Sequence, residues 1–138
     1  MKLALIGGGN MGGALLKALV KSNTLAASDT LLIETDSGKR ESLVRETGCR
    51  AKASMDDEIA AADCLLLAVK PQSATDVMPT LKPLLTGNPM LISVMAGVSM
   101  QSLEEGLGLK KLVRVMPNTP ALLGRRNECL FCIASGQR

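Results

Sequence analysis

The sequence contains no histidine, tyrosine or tryptophan, and its single phenylalanine is Phe131. Without aromatic side chains the chain offers no platform on which bases could stack, and its net charge of +3 is not gathered into a basic stripe. It also lacks an apolar run of the roughly 20 residues that cross a membrane. The apolar start ends at three glycines, which is too short for a signal peptide. These absences predict a cytoplasmic protein that binds neither nucleic acid nor membranes.

Cysteine is scarce, with four residues in the chain. Cys49 and Cys64 stand alone, and we expect them to be inert thiols that pack in the core. Cys129 and Cys132 form a C-x-x-C, a spacing found in redox and zinc sites. Neither a second ligand pair nor any histidine accompanies them, so we expect no metal site.

Aliphatic side chains and methionine supply most of the 46% of residues that are hydrophobic. Short apolar runs alternate with amphipathic segments, which is the pattern of repeated βαβ units. A chain of 138 residues fits one domain. The pattern therefore predicts an α/β fold with a doubly wound, mainly parallel sheet covered by helices.

Eleven segments have the periodicity of strands or helices. The predicted strands are 2–6, 30–34, a weaker one at 49–52, 64–69, 90–95 and 112–116. The predicted helices are 10–21, 38–47, 56–62, 73–85 and 100–106. Gly48 suits the left-handed end of the second helix. Pro79 and Pro83 predict that the helix at 73–85 is short or kinked.

A glycine-rich loop, Gly7-x-Gly9-x-x-Gly12, follows the first strand and opens the first helix. Gly7 permits a tight turn, Gly9 leaves room for a diphosphate, and Gly12 allows close packing of helix on strand. The helix then directs free N–H groups at the phosphates. Glu34 supplies the acid expected at the end of the second strand. Together these features predict a dinucleotide site in a Rossmann fold.

The end of the second strand bears on which cofactor binds. Glu34 can accept hydrogen bonds from a ribose 2′-hydroxyl, as NAD requires, and should repel a 2′-phosphate by up to about 4 kcal/mol per charge pair. Four residues that could hold a phosphate follow at once, namely Thr35, Ser37, Lys39 and Arg40. Lys39 and Arg40 could equally form a solvated helix face. The sequence leaves NAD and NADP as alternatives.

Three segments resemble pyrroline-5-carboxylate reductases in order and spacing: I-G-G-G-N-M-G at 6–12, A-V-K-P-Q at 68–72 and R-V-M-P-N-T-P-A at 114–121. S-V-M-A-G-V at 93–98 is similar to the family's segment after the fifth strand. The A-V-K-P-Q and M-P-N-T-P-A motifs are far more discriminating than the glycine loop. Over residues 1–124 the chain thus resembles the amino-terminal half of that family.

The resemblance implies NAD(P)H-dependent reduction of 1-pyrroline-5-carboxylate to proline. It places the diphosphate on the first loop, at Ile6, Gly7, Gly8, Gly9, Asn10, Met11 and Gly12. It places the nicotinamide end beside Ala68, Val69, Lys70, Pro71, Met95, Ala96 and Gly97. Asn118 and Thr119 would lie on the substrate side. The alternatives are a solvent-facing cation for Lys70 and a rigid loop without ligand contact for Pro71 and Pro117.

The residue set suits reduction of an imine. Reduction of a ketone usually requires a general acid such as histidine or tyrosine, and the chain has neither. A cyclic imine arrives protonated, and hydride transfer leaves a neutral amine. The protein then mainly has to position cofactor and substrate, so we assign no catalytic residue.

The resemblance ends after Gly124, and we expect a Rossmann domain at 1–124 and a divergent tail at 125–138. In the family, a carboxy-terminal helical domain follows, which forms the homo-oligomer and carries the catalytic hydroxyl. We expect that domain to be absent here and the chain to be weakly active or inactive. The alternatives are a non-catalytic dinucleotide-binding fragment and a reductase of the β-hydroxyacid dehydrogenase type.

Overall fold

A computed structural model of the chain describes residues 2–95, 97–115 and 134–135. Its strands are β1 (Leu3–Ile6), β2 (Thr30–Ile33), β3 (Arg50–Lys52), β4 (Cys64–Leu67), β5 (Met90–Ser93), β6 (Leu112–Arg114) and β7 (Ala134–Ser135). Its α-helices are α1 (Asn10–Lys21), α2 (Ser37–Thr47), α3 (Ala74–Leu81) and α4 (Met100–Leu107). Short 3-10 helices lie at Ala27–Asp29, Asp57–Ala61, Pro71–Ser73 and Lys82–Leu84.

Within the described residues the strands form one sheet in the order β3-β2-β1-β4-β5-β6-β7. The first six strands are parallel, and β7 runs antiparallel to β6. The strand order reverses direction between β1 and β4, because the chain extends the sheet first through β2 and β3 and then through β4 to β6. Such a switch point opens a crevice at the carboxyl ends of the strands, where open α/β sheets bind their ligands.

The two faces of the sheet bury different side chains, as the period of two in a strand requires. On one face Leu5, Leu32 and Leu66 pack with Leu16 of α1 and Leu43 of α2. On the other face the core is formed by side chains from β1, β2 and β4 together with α3 and α4, namely Ile6, Ile33, Leu67, Leu81, Leu103 and Leu107. Helices therefore cover both faces, which confirms the predicted doubly wound fold.

The predicted ends of several elements were wrong. The helix predicted at 73–85 ends at Leu81; it is short, as its two prolines predicted, and Pro83 lies in the 3-10 turn Lys82–Leu84 that follows. The segment 56–62 forms a 3-10 helix rather than an α-helix. The strand predicted at 64–69 ends at Leu67, where the chain turns towards Pro71. Gly48 ends α2 with φ 76°, as predicted.

The described residues include no helix with the length and apolarity needed to cross a membrane. The prediction for 125–138 falls outside the described residues except at Ala134 and Ser135, which form β7.

Candidate functional site

The glycine loop crosses the carboxyl ends of β1 and β4 at the switch point. Gly7 has φ +104°, and its N–H donates to the carbonyl oxygen of Ile33 at 2.9 Å. A Cβ on Gly7 would stand 2.8 Å from the carbonyl oxygen of Ala68. Both the backbone conformation and the close approach therefore require glycine here.

The next two positions of the motif differ in their surroundings. A Cβ on Gly9 would meet no atom within 4 Å, so this position faces open space. A Cβ on Gly12 would overlap the carbonyl oxygen of Gly7, so helix α1 can approach the loop only without a side chain there. Helix α1 is thus in tight contact with the loop at Gly12, while the space next to Gly9 is open.

Helix α1 begins next to Gly9, at the open part of the loop. Gly9 is its N-cap residue and provides no side-chain cap. The N–H groups of the first turn have no partner within the helix, and the helix dipole adds positive potential at the same place. This combination favours an anion above Gly9.

Glu34 follows β2 and is attached to the glycine loop. Its Oε1 accepts a hydrogen bond of 2.6 Å from the N–H of Gly8, and its Oε2 accepts one of 2.9 Å from the N–H of Asp36. The N–H of Glu34 donates to the carbonyl oxygen of Lys52 at 3.0 Å, which extends the pairing of β2 with β3 by one residue. The carboxylate is therefore half-buried and held by two main-chain amides.

Two adjoining cavities lie along the carboxyl edge of the sheet. One of about 420 Å³ extends from the glycine loop over the end of β2, beside Glu34 and Thr35. The other, of about 280 Å³, extends over the ends of β4 and β5, beside Pro71 and Met95. Gly9 and the segment 68–70 border both cavities. The two cavities form one groove across the switch point.

Most of the predicted binding residues border this groove: Ile6, Gly7, Gly9, Asn10, Met11, Glu34, Thr35, Ala68, Val69, Lys70, Pro71 and Met95. Gly8 and Gly12 are buried beneath the loop. Ser37 begins α2 and Gly97 is exposed; neither borders the groove. Ala96, Asn118 and Thr119 lie outside the described residues, as does the C-x-x-C pair.

Besides Ile33 at the end of β2, six residues that the sequence did not predict border the cavity over β2. They come from the loop after β3 and from the segment that leads into and through α3: Ala53, Ser54, Met55, Ser73, Val77 and Thr80. The loop after β3 could have been anticipated from its place, since β3 is parallel to β2 and ends at the same edge. The contribution of α3 depends on how that helix packs, and no local sequence signal marks it.

The two cysteines within the described residues are buried and unpaired with one another. Burial raises the pKa of the Cys64 thiol, and the carboxylate of Asp63 raises it further. Cys64 begins β4, at the edge of the sheet opposite the groove. Both thiols lie in the core, as predicted.

Another cavity, of about 350 Å³, lies at the amino ends of β1 and β2. Arg50 and Glu58, two charged residues on its border, form an ion pair with one another. It lies at the other end of the strands from the glycine loop, and a parallel sheet places its ligands at the carboxyl ends. The groove at the switch point is therefore the candidate site.

The chain matches both a family of oxidoreductases and curated pyrroline-5-carboxylate reductases. The model of the family described as NADP oxidoreductase, coenzyme F420-dependent, matches residues 2–97. Pyrroline-5-carboxylate reductase of Pisum sativum is 36% identical over 123 residues, which cover 89% of this chain and 45% of the relative. The chain thus spans about half the length of the curated relatives it matches.

Two solved structures are similar in fold. A pyrroline-5-carboxylate reductase from Coxiella burnetii has a TM-score of 0.80 and 28% identity, over 88% of this chain and 46% of that one. Pyrroline carboxylate reductase of Plasmodium falciparum, solved with NADP bound, has a TM-score of 0.78 and 31% identity, over 98% of this chain and 48% of that one.

Proposed function

Because the chain belongs to the family described as NADP oxidoreductase, coenzyme F420-dependent, we propose that it is the NAD(P)H-binding half of a reductase that converts 1-pyrroline-5-carboxylate to proline. The observation that carries the proposal is the bare position at Gly9, which opens helix α1 at the switch point of the sheet. Similarity to pyrroline-5-carboxylate reductases over about 90% of the chain supports the choice of substrate.

We propose that the cofactor would lie along the groove with its adenosine end over β2 and its nicotinamide end over β4 and β5. The diphosphate would lie above Gly9, where no Cβ fills the space and where the first N–H groups of α1 have no partner within the helix. The adenosine would lie in the cavity that Glu34 and Met55 border. The nicotinamide would lie in the cavity that Met11 and Met95 border, where the partly exposed Met11 side chain could offer apolar contact to a flat ring.

When bound, the reduced nicotinamide supplies a hydride. The residues of this chain would position the nicotinamide ring at the end of β4 and leave one face of the ring accessible to the substrate. The described border of the nicotinamide cavity contains no carboxylate, and Lys70 is its one ionisable side chain. An iminium substrate brings its own proton, so positioning alone can account for much of the rate.

We propose that the protein works in the cytoplasm on a small imino acid, and that this chain does not by itself form the homo-oligomer that the family resemblance implies. Sedimentation of the 138-residue chain tests the second point, since a stable dimer of this chain alone would contradict it.

Calorimetric titration of NADH and NADPH into the folded chain tests the proposed function. We expect at least one of them to bind. Loss of reduced-nicotinamide absorbance on addition of 1-pyrroline-5-carboxylate, beside 3-hydroxyacids assayed with the oxidised cofactor, then identifies the reaction. Turnover of 3-hydroxyacids alone would favour the β-hydroxyacid dehydrogenase type. Binding without hydride transfer is the result expected both for an inactive half of the reductase and for a non-catalytic dinucleotide-binding module. A folded chain that binds neither cofactor would refute the proposal.

A further inference from the structure

We infer that Glu34 makes this site selective for NAD(H) over NADP(H). This inference rests on the proposed function, in which a dinucleotide binds at the glycine loop. In a Rossmann fold the ribose of the adenosine lies at the end of the second strand, beside the glycine loop. Glu34 stands at that place, and its Oε1 bonds to the loop itself through the N–H of Gly8. A 2′-phosphate would have to share this position with a carboxylate.

The carboxylate of Glu34 is fixed by hydrogen bonds to both of its oxygens. The N–H of Gly8 donates to Oε1 at 2.6 Å and the N–H of Asp36 donates to Oε2 at 2.9 Å. Gly8 is buried, so rotating the carboxylate away would leave a buried amide without its acceptor. A bound phosphate therefore cannot simply displace this side chain into solvent.

The same carboxylate can still accept hydrogen bonds from a ribose. Each carboxylate oxygen has two lone-pair sites, and the main-chain amides occupy one on each oxygen. The free sites suit the 2′- and 3′-hydroxyls of an unmodified ribose, which are donors. A 2′-phosphate has acceptor oxygens there, and its negative charge would face that of Glu34.

The nearby cations are partly engaged, exposed to screening by salt, or matched by a second acid. Nη1 of Arg40 donates to the carbonyl oxygen of Glu34 at 2.8 Å and, more weakly, to that of Thr35 at 3.5 Å, so one arm of the guanidinium is held by the main chain. Lys39 borders the cavity but is exposed. A second carboxylate, Asp36, caps α2 by accepting from the N–H of Gly38 at 3.0 Å. The two acids thus match the two cations in number.

The test is calorimetric titration of the 138-residue chain with NADH and NADPH, and with ADP and its 2′-phosphorylated form, which probe the adenosine end alone. We expect the unphosphorylated member of each pair to bind at least about tenfold more tightly, a margin that allows for screening at an exposed groove. Glu34→Ser should reduce or reverse the ratio in both pairs. Glu41→Gln is the matched control: it removes one negative charge from an exposed position of α2 and should leave the ratio unchanged.

The outcomes separate the two proposals. Equal or tighter binding of NADPH by the unaltered chain, or an unchanged ratio in Glu34→Ser, would overturn the selectivity while leaving the proposed reductase intact. Binding of neither dinucleotide by a chain that shows a cooperative unfolding transition would overturn both. A shift of the ratio in Glu41→Gln equal to that in Glu34→Ser would show that net charge, rather than the position of Glu34, sets the preference.

Discussion

Gly7 lies against the main chain of Ala68, so close that a Cβ on Gly7 would stand 2.8 Å from the Ala68 carbonyl oxygen. The N–H of Ala68 in turn donates to the carbonyl oxygen of Ile6 at 2.9 Å. The two loops that border the groove are therefore joined at the switch point. The shape of the site depends on this contact.

Replacing Gly7 with alanine should destabilise the fold. The left-handed conformation, φ +104°, and the clash with main-chain atoms both oppose a side chain, and we expect a loss of at least about 2 kcal/mol in the free energy of unfolding. Urea denaturation measures it. Gly38→Ala is the control, because its Cβ would meet only the Asp36 side chain, at 3.6 Å. Equal stability of the two variants would contradict the structure.

Replacing Gly9 with alanine should separate binding from stability. The new methyl group meets no atom within 4 Å, so the urea midpoint should stay close to that of the unaltered chain. The methyl group would occupy the space proposed for the diphosphate, and we expect affinity for either reduced dinucleotide to fall at least about tenfold, or about 1.4 kcal/mol. Undiminished affinity in this variant would exclude a diphosphate above Gly9.

Stability should depend on pH through the exposed charges after β3. The hydrogen bond from Lys52 lowers the pKa of both Asp56 and Glu58, and Arg50 adds to the effect on Glu58. Acids whose pKa is lower in the folded state stabilise it at high pH and lose this contribution as pH falls through the folded-state pKa.

We therefore expect Lys52→Met to lower the melting temperature at neutral pH, and this difference to shrink below pH 4.5, the ordinary pKa of a glutamate carboxyl. Because the pairs are exposed, added salt should also weaken the difference. Lys21→Met serves as the control, since Lys21 has no acidic partner in the part of the chain that the structure describes. A pH-independent difference would show that Lys52 acts through packing alone.

The thiol of Cys64 should resist alkylation in the folded chain. Burial and the charge of Asp63 raise its pKa, which reduces the reactive thiolate at neutral pH. Peptide mapping after iodoacetamide treatment should find Cys64 modified only in urea. Asp63→Asn should leave it protected, because burial is the larger cause of the raised pKa. Rapid labelling of Cys64 in either folded protein would place it nearer the surface than the structure does.

Much of the fold follows from local patterns. The spacing of Gly7, Gly9 and Gly12 after an apolar run located the loop and the start of α1, because a strand, a glycine turn and a helix that follow one another form a local pattern. Apolar runs located the strands for the same reason. The ends of the elements were harder to place: α3 stops at Leu81, just before the 3-10 turn that contains Pro83, and β4 stops at Leu67, before the turn to Pro71.

By itself, the sequence determined the order of the elements, the bare glycine loop and the acid that follows β2, since these depend on residue type and short spacing. Only the tertiary structure decided that Met55 and Val77 border the groove and that the Glu34 carboxylate is bonded to Gly8. Those relationships join residues far apart in the chain. They arise because parallel pairing of β1, β2, β3 and β4 brings the carboxyl ends of these strands to one edge, and packing then fixes the side chains that meet there.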